Sequence, residues 1–77
     1  MANESNVQSG ALKTLQPHQQ RVVDEKTELD TKRTKLLAFL TSTVFQSLDI
    51  AERERLTRQS DIMLDYSEVL GQRIAAF

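Results

Sequence analysis

After residue 16 the apolar positions of the chain recur three and four apart, a spacing that predicts two long helices. In the first, alternating steps of four and three select Val22, Lys26, Leu29, Arg33, Leu36 and Leu40, a seam whose alternate layers are cationic until the last. The neighbouring frame of Val22, Glu25, Leu29, Lys32, Leu36 and Phe39 also carries charge at alternate layers. In the second helix the same stepping selects Leu56, Gln59, Met63, Tyr66, Leu70, Arg73 and Phe77, and Ile62, Val69 and Ile74 widen it into a broad apolar face. That face is wide enough to meet both the first helix and another chain.

The boundaries follow from backbone chemistry. Pro17, the only proline, suits a first helical turn because its φ is already helical and its missing N–H is not needed there. The first helix is therefore expected from residue 17 to about 41, a rod of roughly 37 Å at 1.5 Å per residue. Hydroxyl and β-branched side chains over 42–47 compete with helix and predict a connection. Asp49 with Glu52 three residues on reads as a capping box that opens a second helix running to about residue 76. Gly71 is its one weak point, at a cost of about 1 kcal/mol against alanine unless close packing demands it. Two long helices on a short connection lie antiparallel. Residues 1–16 are mostly polar and read as a flexible tail, or as a short docking turn built on Ala11, Leu12 and Leu15. The expected organisation is an all-α, antiparallel two-helix hairpin over 17–77, preceded by that tail and assembled as a homo-oligomeric helical bundle.

Size supports the oligomer. A chain of 77 residues buries only about 60% of its unfolded surface, which leaves a lone domain marginal. With no cysteine there is no disulfide, no thiolate zinc site and no thiol chemistry, so self-association is the remaining staple. Ten basic against eleven acidic side chains produce no global field to attract DNA, RNA or an anionic membrane. No apolar run approaches the ~20 residues of a membrane span, and no basic start with an apolar stretch suggests a signal peptide, so a cytoplasmic protein is expected.

Catalytic constellations are missing: there is no Gly-rich phosphate loop, no set of nucleophile, base and orienter, and no paired carboxylates in a context that would shift a pKa. We expect no enzyme and no cofactor. The four aromatic residues, Phe39, Phe45, Tyr66 and Phe77, all fall inside the hairpin, with Tyr66 expected in the core, so an RNA-stacking platform is not expected either. His18 has no second histidine and no carboxylate one turn away, so no metal site is expected. Two readings of Lys26, Arg33, Glu25 and Arg73 stay open: ion pairs or snorkelling side chains at the bundle edge, or an anion pocket. In the second, Lys26 between the Val22 and Leu29 layers aims its ammonium at a cleft between chains, and His18 adds a polar group in a helical first turn that favours anions.

The run Pro17-His18-Gln19-Gln20-Arg21-Val22-Val23-Asp24-Glu25-Lys26, followed by Leu29, Leu36 and Phe39 and later by Gln59, Met63, Tyr66, Leu70, Arg73, Ile74 and Phe77, resembles a phage-encoded hairpin domain. That domain is shared by anti-CBASS cyclic-oligonucleotide sponges and some anti-Thoeris sponges, and the stand-alone anti-CBASS type is the nearer likeness. The resemblance implies a homohexamer in the cytoplasm of an infected bacterial host that holds cyclic di- and trinucleotide messengers, such as cyclic GMP-AMP, without cleaving them. It implies a cyclic dinucleotide site at His18, Arg21, Val22, Glu25 and Lys26, in which Arg21 and Lys26 hold phosphate and His18 stacks or hydrogen-bonds. A separate cyclic trinucleotide site would use Gln59, Met63 and Arg73. Members of the family cover a base with an aromatic residue upstream of the hairpin, and this chain has none before Pro17. The alternatives are a hairpin module that binds a larger protein partner, or a structural phage component whose interrupted stripe sets register.

Overall fold

The computed structural model describes residues 14–77, and within them every regular element is helical: α1, Pro17–Leu40; α2, Thr43–Ser47; and α3, Ile50–Ala75. The tail or docking turn expected over 1–16 lies outside the described residues up to residue 13, and Thr14, Leu15 and Gln16 precede the first helix in non-helical backbone.

α1 begins where Pro17 dictates. Gln16 is its N-cap, and the Gln16 N–H donates to Gln19 Oε1 at 2.9 Å, which satisfies the flanking backbone donor that a capping box would satisfy. α3 begins at the cap the sequence marks, with Asp49 Oδ1 accepting from the Glu52 N–H at 3.1 Å. Only that half of the expected box forms, because the Glu52 carboxylate turns to Arg55 at 2.7 Å.

The connection differs from the irregular loop expected over 42–47. Ser42 acts as an N-cap: its Oγ accepts from the Phe45 N–H at 3.1 Å and donates to the Phe39 carbonyl at 2.6 Å, so the hydroxyl that competes with a continuing helix starts a new one. The short α2 then brings the Phe45 ring edge-on to Phe39, with centroids 6.2 Å apart and planes at 84°. Arg53 Nε donates to the Leu48 carbonyl at 3.1 Å and ties α3 back to this corner.

α1 and α3 lie against each other as the two arms of a hairpin. On α1 the inward positions are Val22, Lys26, Leu29, Arg33, Leu36 and Leu40, the first of the two frames the sequence offers, with Gln19 continuing the row toward the N-terminus. On α3 they are Arg53, Leu56, Ser60, Met63, Ser67, Leu70 and Ile74, which is not the frame the apolar pattern favoured. Leu56, Met63 and Leu70 are common to both frames. At the alternate layers the seam takes Ser60, Ser67 and Ile74, and Gln59, Tyr66 and Arg73 stay exposed. Steric complementarity explains the choice. Lys26 and Arg33 put long cationic stems into alternate layers from α1, and only a small residue opposite leaves room for them, so Ser67 and Ser60 are buried at 6% and 3% exposure. Tyr66, expected in the core, is 43% exposed, and Ile62 and Val69 beside it are more than half exposed.

Gly71 also faces this seam, where a Cβ would meet Lys26 Cε at 3.4 Å, an ordinary van der Waals contact. Packing in the hairpin does not require the glycine. Gly71→Ala is expected to raise the stability of α3 by about 0.5–1 kcal/mol, read as a higher midpoint in thermal unfolding followed by circular dichroism.

A lysine clamp in the hairpin seam as the candidate functional site

The first candidate set occupies the opening three turns of α1. Val22 is buried at 6% exposure and Lys26 half-buried, and His18, Arg21 and Glu25 are exposed. The helical repeat strings these residues along roughly 12 Å of one rod. The second set is divided. Gln59 and Met63 meet one turn apart, with Gln59 Nε2 4.0 Å from Met63 Sδ. Arg73 stands roughly 15 Å further along α3 than Met63, so one chain does not gather the three into a single site. Among the described residues the single hairpin encloses no pocket.

The most organised polar cluster centres on Lys26. Its ammonium donates to Asp30 Oδ2 at 2.7 Å and to Ser67 Oγ at 2.9 Å, and Ser67 Oγ donates to Asp30 Oδ1 at 2.5 Å. Three side chains from two helices thus close a ring in which both carboxylate oxygens accept a hydrogen bond. An ammonium has three N–H groups, and the ring uses two of them. The Lys26 side chain remains 31% exposed, so the third N–H sits at the polar edge of the seam. One heptad along α1, Arg33 Nε donates to the Ser60 carbonyl at 3.0 Å, leaving its terminal nitrogens free of hydrogen bonds among the described residues.

Neither open reading of these charges describes the seam in full. Lys26 makes its ion pair within its own helix, four residues away, and crosses to α3 through a hydroxyl; Arg33 crosses to a backbone carbonyl. Asp30 and Ser67 stand in the cluster although the apolar pattern singled out neither. Asp30 carried a legible signal, because a carboxylate four residues after a lysine faces it on a helix. Ser67 carried none, since a serine inside an apolar stripe looks the same whether it is buried or solvated.

The Lys26 hydrogen bond, the Ser67 hydrogen bond and the nearby charges of Lys26 and Arg33 hold the Asp30 carboxyl below its ordinary value, against a smaller opposing effect of burial. A carboxyl depressed in the folded state stabilises the fold in full above its unfolded value, near pH 4, and that contribution disappears as pH falls through the folded value. The difference in unfolding midpoint between the native protein and Asp30→Asn is therefore expected to be constant from pH 7 to about pH 5 and to shrink as the pH falls below about 4 and through the lowered folded value. A difference independent of pH would remove Asp30 from the clamp.

Among the described residues no three His, Asp or Glu side chains gather as a metal would require, and no helix is long and apolar enough to cross a membrane. No curated protein matches the chain. No solved structure does either. A family model does, over residues 16–76, which takes in α1, α2 and all of α3. The matched span opens on the Gln16 cap, contains the whole clamp, and covers all but the last residue of the segment 17–77 that carries the sequence resemblance. This chain belongs to the Sequestin family, the phage anti-CBASS and anti-Thoeris sponge proteins, which bind rather than catalyse.

Proposed function

We propose that this protein is an anti-defence sponge that binds cyclic di- and trinucleotide second messengers, such as cyclic GMP-AMP, and holds them without cleavage in the cytoplasm of an infected bacterium, so that CBASS immunity is not triggered. The observation that carries the proposal is family membership across nearly the whole hairpin. The chemistry of α1 supports it. A cyclic oligonucleotide brings phosphodiesters that need cations and bases that need flat cover. Lys26 and Arg21 are the phosphate contacts in this reading. His18 stacks on or hydrogen-bonds a base, with Val22 and the stem of Glu25 as walls. Gln59, Met63 and Arg73 serve the trinucleotide. Because one hairpin leaves these residues spread along its two arms, the pockets form between copies, and a homohexamer is the assembly proposed. Sequestration then works by mass action, with the free messenger falling as bound sites fill.

The test is calorimetric titration with a panel of cyclic di- and trinucleotides, followed by release of the ligand by heating and a check that it is chemically intact. Tight binding with intact ligand is the expected result. Heat from no member of the panel would sink the proposal and favour the second reading, a hairpin that docks on another protein. The exposed apolar row of Ile62, Tyr66 and Val69 on α3 is what speaks for that alternative.

A further inference from the structure

The Lys26 clamp contains its own counter-ion, and that is unusual for a group meant to take a phosphate. An unpaired lysine would attract anions more strongly. Here Asp30 lies 2.7 Å from the ammonium, with its second oxygen held by Ser67, a residue buried in the middle of α3. The arrangement has two physical consequences. First, the ammonium is fixed by acceptors on both helices, so the rotamer entropy of a long side chain is lost on folding rather than on binding. Second, any phosphate that meets the third N–H lies within a few ångströms of a carboxylate. The clamp is neutral overall. Phosphates differ in how much this matters: a phosphodiester carries one negative charge, and a terminal phosphomonoester carries about 1.5 to 2 near pH 7.

We propose that Asp30 and Ser67 are positioning residues that make Lys26 selective for phosphodiesters over terminal phosphomonoesters, so that the protein holds closed-ring nucleotides and disfavours linear ones that end in a phosphate. The inference rests on the reading above in which Lys26 contacts the ligand's phosphate. Attraction to the ammonium is enough for a diester that accepts a single N–H. The second charge of a monoester is drawn to the ammonium and repelled by Asp30, so the neutral clamp offsets little of the added cost of desolvating a dianion. The depressed protonation of Asp30 keeps that carboxylate charged throughout the neutral range.

The probes are one cyclic dinucleotide and the linear dinucleotide of the same bases with a 5′-terminal phosphate. Affinities for both are measured at pH 7.5 and fixed salt, on the native protein and on three variants: Asp30→Asn, Asp30→Ala and Ser67→Ala. The native protein should prefer the ring. Asp30→Asn and Asp30→Ala should each reduce that preference by about tenfold, chiefly by improving the linear ligand. Asp30 is partly exposed on a helix that tolerates either residue, so at least one of the pair will report. Ser67→Ala keeps the carboxylate, so it should weaken both ligands several-fold and leave their ratio unchanged, a pattern that a simple loss of fold would not produce. A ratio unmoved by either Asp30 variant would overturn the inference while cyclic dinucleotide binding by the native protein still stood. Absence of binding by the native protein would instead overturn the proposed function beneath it.

Discussion

Lys26→Ala is expected to weaken binding of a cyclic dinucleotide by roughly a hundredfold and to leave the hairpin folded. Removing one partner of a hydrogen-bonded charge pair costs about 2–5 kcal/mol, and each 1.4 kcal/mol is a factor of ten in affinity. The fold should survive because the clamp is only partly buried. Without the ammonium, Ser67 Oγ still donates to Asp30, and partly exposed ion pairs contribute no more than about 1 kcal/mol to stability. Calorimetry provides the affinity, circular dichroism the helix content, and sedimentation the assembly state. Each outcome points to a different role. Binding lost with the assembly intact is the sponge result. Assembly lost along with binding would make Lys26 a register device of a structural component, as buried polar residues are in coiled coils. Retained affinity would place the phosphate elsewhere, with Arg21 the next cation to test.

Leu70→Ala should have the largest effect on stability. Leu70 is 1% exposed, the most completely enclosed large side chain, and Val22 is the only other apolar residue among those described that is fully buried in the single chain. Truncating a buried leucine to alanine costs about 2–5 kcal/mol, made up of lost transfer energy and the cavity left behind. Small domains have few kcal/mol to lose. The expected result is loss of most of the cooperative thermal transition, seen as low helicity at 25 °C. Tyr66→Ala is the informative companion, because Tyr66 is 43% exposed in the single hairpin. Nearly unchanged stability would mean that the apolar row of Ile62, Tyr66 and Val69 stays open to solvent. A cost rivalling that of Leu70→Ala would mean that another chain covers the row, and its dependence on protein concentration would identify that chain as a second copy. Stability of Leu70→Ala equal to that of the native protein would refute the seam described for α3.

Much of the architecture was legible from local chemistry. Pro17 and Asp49 mark where the long helices begin because capping and ring geometry depend on a few neighbouring residues, which a sequence displays directly. The apolar layers of α1 were legible for a related reason: Val22, Leu29 and Leu36 repeat at the heptad interval, although the layers between them, Lys26 and Arg33 or Glu25 and Lys32, were left open by that repeat. The first-turn position of His18 and Arg21, and the facing of Lys26 and Asp30, follow from the 3.6-residue repeat alone.

The face that α3 presents could not be read in this way. Two rows on that helix share Leu56, Met63 and Leu70, and they differ at the layers between, where one offers Gln59, Tyr66 and Arg73 and the other Ser60, Ser67 and Ile74. By apolar content the first row looks at least as good. Shape decides between them: α1 fills its alternate layers with Lys26 and Arg33, and a tyrosine or glutamine opposite those stems would compete for the same volume, whereas serine yields it and supplies an oxygen. Thus the sequence by itself determined the starts of the two long helices, the antiparallel hairpin and the apolar layers of α1, since these depend on residues close together in the chain. Only the tertiary structure decided that Ser67, 41 residues from Lys26, completes the clamp with Asp30, because complementarity between large and small side chains belongs to the pair of helices and not to either one.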